Sequence, residues 1–166
     1  MDITNEVARL VREAPTEQSG VEQALDAILA ATGTTCGTIH LRRAGEPTMR
    51  LVAARQIPPP VLEKIQVIPI GKGMAGVAVE SLQPVTTCNL QVDDAGGVIR
   101  QGARATGVQG ALALPLLHGD GAVGALGVAT IEPRDFSRAE IDQLLDIGRA
   151  LGSAVENRRG ADGLRI

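Results

Sequence analysis

The segment Ile68-Pro-Ile-Gly-Lys-Gly-Met-Ala-Gly-Val-Ala-Val79 runs from a short apolar stretch through two glycines into a turn of small residues. That composition predicts a strand that bends sharply into a short helix. It also brings the backbone of Gly71 to Gly76 close to whatever lies beyond the strand, because glycine offers no Cβ to hold a neighbour away. Further along, Leu112-Ala-Leu-Pro-Leu116 and Gly121-Ala-Val-Gly-Ala-Leu-Gly-Val128 read as the two strands of a hairpin turned by His118-Gly-Asp-Gly121.

Before the glycine segment, the apolar positions Ile3, Val7, Leu10 and Val11 keep helical spacing, which predicts an N-terminal helix within residues 1–14. A second helix carries Val21, Ala24, Leu25, Ile28 and Leu29 up to Gly33. Strands are predicted at Thr35 to Arg42 and Thr48 to Ala54, joined by the turn Arg43-Ala-Gly-Glu-Pro47. Pro58-Pro-Pro60 opens a short helix ending near Ile65, since proline is pre-set for a first helical turn. Met74 to Ser81 is a helical turn and Pro84 to Leu90 a short strand. Gln91 to Gly110 has no clean periodicity and reads as a ligand-responsive lid. Gly110 to Leu117 and Ala122 to Ile131 close the sheet. Ser137-Arg-Ala-Glu140 is a capping box that starts a last helix with Ile141, Leu144, Leu145, Ile147, Leu151 and Val155 in one stripe. The polar tail, residues 159–166, is expected to fray. Strands flanked by helices at both chain ends indicate an α+β fold in a single domain, residues 1–166. The expected architecture is a central antiparallel sheet of about six strands with the N- and C-terminal helices on one face.

A chain of 166 residues can bury one full core. Its 16 basic and 19 acidic residues give a net charge of −3, which supplies no attraction to phosphate backbones or anionic membranes. With Phe136 as its one aromatic residue among Phe, Tyr and Trp, the chain also lacks platforms on which bases stack. Neither nucleic acid nor membrane is an expected partner. Cys36 and Cys88 match no disulfide framework or zinc spacing, and no apolar run approaches the length of a bilayer span, so a cytoplasmic protein is expected.

Side chains alternate across a strand, and here the two faces are unequal. Ile39 and Leu41 share one face of the first strand, Cys36, Thr38 and His40 the other. Leu112, Leu114 and Leu116 oppose Ala111 and Ala113, and Leu126 with Val128 opposes Ala125, Gly127 and Ala129. The large aliphatics suit the face that carries helices. The small and polar positions either leave room for a ligand pocket or allow a loop to pack closely.

With these residues the chain resembles a GAF domain from about Val21 to Asn157. The matching phrases are Cys36-Gly-Thr-Ile-His-Leu41, Ile70-Gly-Lys-Gly-Met-Ala-Gly-Val77, Ala113-Leu-Pro-Leu116, Gly121-Ala-Val-Gly-Ala-Leu-Gly-Val128 and Phe136-Ser-Arg-Ala-Glu-Ile141. The resemblance implies the GAF-like fold, with a ligand pocket under loops and short helices on the second face, and a sensory or regulatory role. Cyclic-nucleotide relatives carry an Asn-Lys pair where Thr130 and Ile131 stand, and bilin-binding relatives pair their cysteine with a histidine, whereas Asn89 follows Cys88. Free methionine sulfoxide reductases are similar in size. Their glycine segment has a cysteine where this chain has Ala75, their nucleophile falls in the cysteine-free stretch Gln91 to Gly110, and their ligand-facing acids would fall at Ala111, Gly127 and Ala129. Reductase chemistry is therefore the weaker alternative, and no enzyme is expected.

The expected pocket residues are Cys36, Thr38, His40, Ile70, Met74, Ala111, Ala113, Gly127 and Ala129, with Arg104 as a lid contact. His40 can donate to an anionic or carbonyl group, or it can be a buried histidine bonded to a backbone carbonyl. Met74 can pack on a ligand or fill core. Arg100 and Arg104 can face one anion or simply solvent. The expectation is a sensor of a small molecule or small anion that signals to a partner protein such as a kinase or transcription regulator. No cofactor is named by these residues. A ligand-free scaffold that forms a homodimer through surplus apolar positions on the terminal helices is the alternative.

Overall fold

The computed structural model describes residues 2–43, 45–87 and 110–164. Helix α1 (Ile3–Glu13) begins at Asp2, whose carboxylate accepts the Thr4 N–H. Helix α2 (Glu17–Thr32) opens with a reciprocal Thr16 and Ser19 capping box and stops at Gly33, where the chain turns left-handed at φ 66°. Strands β1 (Cys36–Leu41) and β2 (Thr48–Arg55) form the first hairpin. Then come α3 (Pro59–Lys64), β3 (Val67–Pro69), α4 (Gly73–Ser81) and β4 (Val85–Thr87). The hairpin β5 (Gly110–His118) and β6 (Gly121–Thr130) leads to the long helix α5 (Arg138–Leu164). The capping box at its start is present: Glu140 accepts the Ser137 N–H at 3.0 Å and Ser137 Oγ accepts the Glu140 N–H at 3.1 Å.

The six strands form one antiparallel sheet in the order β3-β2-β1-β6-β5-β4. Its leucine-rich face carries the core. Ile39 lies opposite Leu126, and Leu126 opposite Leu114, so a row of large side chains crosses the three central strands. Leu25 and Ile28 of α2 and Leu144, Ile147 and Leu151 of α5 cover it, all of them buried. Helix α5 approaches β5 closely because it presents glycine there: a Cβ on Gly152 would sit 2.8 Å from the Leu117 carbonyl oxygen.

The apolar stripes of the terminal helices turn mainly inward: Val7, Val11, Leu144, Ile147, Leu151 and Val155 are buried in the chain's own core, and Ile3, Ile141 and Leu145 are partly buried against it. Helix α1 packs on α2 and α5, a second helical tier, which uses the positions that looked surplus when only a sheet face was counted. Helix α5 runs to Leu164, and arginines near its end tie it to the rest of the chain. Arg158 donates to the carbonyls of Val11 (2.8 Å), Ala14 (2.6 Å) and Pro15 (3.0 Å), and Arg159 donates to Glu17 and to the Arg42 carbonyl. Carbonyls at a helix C-terminus have no partner within their helix, and the Arg158 guanidinium collects those at the end of α1.

Candidate functional site

On the opposite face the strand register aligns the small side chains into rows. Cys36 pairs with Ala129 and Ala129 with Ala111; Thr38 pairs with Gly127 and Gly127 with Ala113. The middle row has almost no bulk, and a Cβ built on Gly127 would meet only Thr38 Oγ1, at 3.0 Å. A floor this shallow leaves space above it, and that space is a cavity of about 370 Å³.

Its walls come from the glycine segment and from α3. Gly71 (φ 92°) and Gly73 (φ 67°) take left-handed conformations that strain residues with a side chain. They fold α4 back against β3, and the Gly71 N–H donates to the Gly76 carbonyl at 2.9 Å. The contact is close enough that a Cβ on Gly76 would lie 2.5 Å from the Pro69 carbonyl oxygen. The first turn of α4, Gly73 to Ala75, thereby lines the cavity, and no side chain caps that helix end. Ile57, Val61, Lys64 and Ile65 close the other side.

Of the residues expected from sequence, Cys36, Thr38, His40, Met74, Ala111, Ala113, Gly127 and Ala129 all line this one cavity. Ile70 does not. It follows the last paired residue of β3, its N–H bonds the Pro47 carbonyl, and its side chain packs with the Met49, Ile68 and Val79 group, so Ile68 takes the lining position. Arg104, with Arg100, Cys88 and the proposed lid, lies outside the described residues. The α3 wall went unassigned in the sequence reading, although Val61 and Ile65 at i and i+4 after three prolines present one apolar side.

His40 is 1% exposed, and its Nε2 lies 2.8 Å from the Ile65 carbonyl oxygen. A carbonyl only accepts, so Nε2 carries the proton and Nδ1 is left as a lone-pair acceptor. Nδ1 is buried and has no hydrogen-bond partner among the described residues. Of the two readings open from sequence, the structure shows the buried histidine bonded to a backbone carbonyl, and its one N–H is thereby used. Burial pushes the His40 pKa below its ordinary 6.5, opposed in part by the Ile65 carbonyl. In the unfolded chain His40 takes up a proton as pH falls through about 6.5, whereas the folded state resists it. Stability from this group is therefore full above that pH and lost below it. In urea titrations at pH 7.5 and 5.5, the wild type should lose up to about 1.4 kcal/mol per pH unit relative to His40→Gln. A parallel response in the two proteins contradicts a neutral buried imidazole.

Cys36 is likewise buried, its thiol within 3.8 Å of the Ala129 carbonyl oxygen, and burial raises its pKa. It is a protonated thiol, not a nucleophilic thiolate. Among the described residues no cluster of His, Cys, Asp and Glu is placed to hold a metal ion, and no helix is long and apolar enough to cross a membrane.

Comparison with solved structures places this architecture. The GAF domain of a phosphoenolpyruvate-protein phosphotransferase from Coxiella burnetii superposes with a TM-score of 0.80 at 15% identity, covering 97% of this chain and 95% of that one. Free methionine-R-sulfoxide reductase from Neisseria meningitidis, in complex with its substrate, gives 0.77 at 14% identity over 96% and 89%. The nlh2 GAF domain of A. Aeolicus in an inactive state gives 0.69 at 19% identity over 94% of each chain. Comparison with curated proteins finds no match. At such identities the likeness speaks for the fold alone, but the family model for the GAF domain also matches residues 14–156, and on that match the chain belongs to the GAF domain family.

Proposed function

We propose that this GAF domain is a sensory or regulatory module that binds a small molecule in the cavity above β1, β6 and β5 and relays occupancy to a partner protein, such as a kinase or transcription regulator. The observation that carries the reading is the cavity itself, floored by Ala111, Ala113, Gly127 and Ala129 on strands whose alternate residues anchor the helical core. A pocket of this size with a few polar groups suits a small metabolite. Because Gly127 and Ala129 alternate with Leu126 and Val128 on β6, a ligand that favours one setting of β6 also favours one setting of α2 and α5. That is a population shift between two packings, biased by differential affinity.

The reading is non-enzymatic. Thiol chemistry of the reductase kind is disfavoured because Cys36 is buried and held protonated, and because no carboxylate among the described residues lines the cavity to receive a substrate ammonium group.

A thermal-shift screen of small metabolites tests the proposal. A ligand at about a hundred times its Kd should stabilise the fold by about 2.7 kcal/mol, or roughly 5–10 °C in a domain of this size, with saturation. If no compound stabilises the protein, the ligand-free scaffold remains, with a homodimer through the terminal helices as its predicted state.

A further inference from the structure

The polar groups of the cavity are arranged asymmetrically. Lys64, at the end of α3, and Lys72, the N-cap of α4, both line it and both side chains reach solvent, so they stand at its rim. Neither ammonium group makes an ion pair or hydrogen bond among the described residues, and no Asp or Glu among those residues lines the cavity. Next to Lys72 the uncapped first turn of α4 adds backbone N–H groups with no partner in their helix and the positive end of the helix dipole. Farther in, the lining is Cys36, Ala111, Ala129 and Met74, an apolar cluster. The interior polar side chains are Thr38, a hydroxyl, and His40, whose Nδ1 is buried, without a partner among the described residues and an acceptor only.

Resting on the sensor reading above, we infer that the ligand is a small organic acid: an apolar body in the cavity and one deprotonated acid group at the rim, bound by Lys64, Lys72 and the α4 N-terminus. The alternatives conflict with the chemistry of the site. An acid group placed inward would face the His40 Nδ1 lone pair and, among the described residues, find the Thr38 hydroxyl in place of a cation, so its lost hydration would be poorly replaced. A cationic head group would sit between two ammonium groups with no carboxylate to answer it. A neutral body of the same shape would fill the apolar space but leave the lysines unused. The orientation is therefore acid group outward, and any hydroxyl or amide N–H on the body meets an acceptor at His40.

The test compares three probes with one apolar body and different head groups: hexanoate, 1-hexanol and hexylamine, titrated by calorimetry at low salt. Two rim lysines with exposed charge should favour hexanoate over 1-hexanol by about tenfold, hexylamine should bind more weakly than either, and added salt should shrink the preference. The Lys64→Gln, Lys72→Gln double variant should bind 1-hexanol as the wild type does, which also shows that it folds, and should lose the preference for hexanoate. Equal affinity for hexanoate and 1-hexanol in the wild type, or a preference that survives in the double variant, overturns this inference while leaving the cavity a binding site. Binding of none of the three overturns this inference; the sensor reading falls only when the thermal-shift screen finds no ligand either.

Discussion

Gly127→Leu is expected to leave the protein folded and to abolish ligand binding. Gly127 lies in the middle row of the cavity floor, between Thr38 and Ala113. Its backbone is not in the left-handed region, so a leucine there is not strained on conformational grounds. A Cβ would meet only the Thr38 hydroxyl, which can rotate aside, and the rest of the side chain extends into the cavity. Replacing glycine within a strand removes an entropic cost of roughly 0.5–1 kcal/mol, which offsets crowding at Thr38. The melting temperature without ligand should therefore stay within a few degrees of wild type, by the relation of about 2–4 °C per kcal/mol. The shift produced by any compound that stabilises the wild type should vanish. A Gly127→Leu protein that keeps its ligand response would place the site elsewhere.

The neighbouring residue on the same strand should behave in the opposite way. Leu126 points to the other face, is fully buried, and lies opposite both Ile39 and Leu114 under α2 and α5. Leu126→Ala removes buried methyl groups from the centre of the core and leaves a void that packed helices cannot fully close. The expected loss is about 2–5 kcal/mol, measured by urea unfolding. Under conditions where the variant remains folded, its affinity for the wild-type ligand should change little, because no cavity atom has been altered. The pair of adjacent substitutions thus separates binding from stability within a single strand. Equal losses of stability in both variants would mean that the two faces are not distinct.

Much of this arrangement is legible in the sequence because strand periodicity assigns faces without knowledge of the fold. The alternation of Leu112, Leu114 and Leu116 with Ala111 and Ala113, and the same pattern on β6, is enough to predict which residues share a cavity floor. The glycines of Gly71-Lys72-Gly73 likewise announce the turn that puts α4 over that floor. What the sequence hides depends on contacts between distant elements. Ile70 has the parity of Ile68, yet it falls beyond the paired end of β3 and packs against the cluster of Met49, Ile68 and Val79 without lining the cavity. His40 reads as a donor until the Ile65 carbonyl, on the far side of a hairpin, is found to use its proton. The bonds of Arg158 are equally hidden, because the carbonyls of Val11 and Ala14 that it meets lie at the other end of the chain. The apolar stripes of α1 and α5 look surplus because sequence does not disclose that α1 sits on other helices instead of on the sheet.

The central claim is that the small-residue face of the sheet is a receptor surface. Its most direct test is a two-dimensional NMR titration of the isotope-labelled protein with hexanoate or a compound from the thermal-shift screen. The account predicts saturable shifts at the amides and methyls of Ala111, Ala113, Gly127 and Ala129 and at the first turn of α4. Shifts confined to α1 and the outer side of α5, with the floor residues unmoved at saturation, would contradict it.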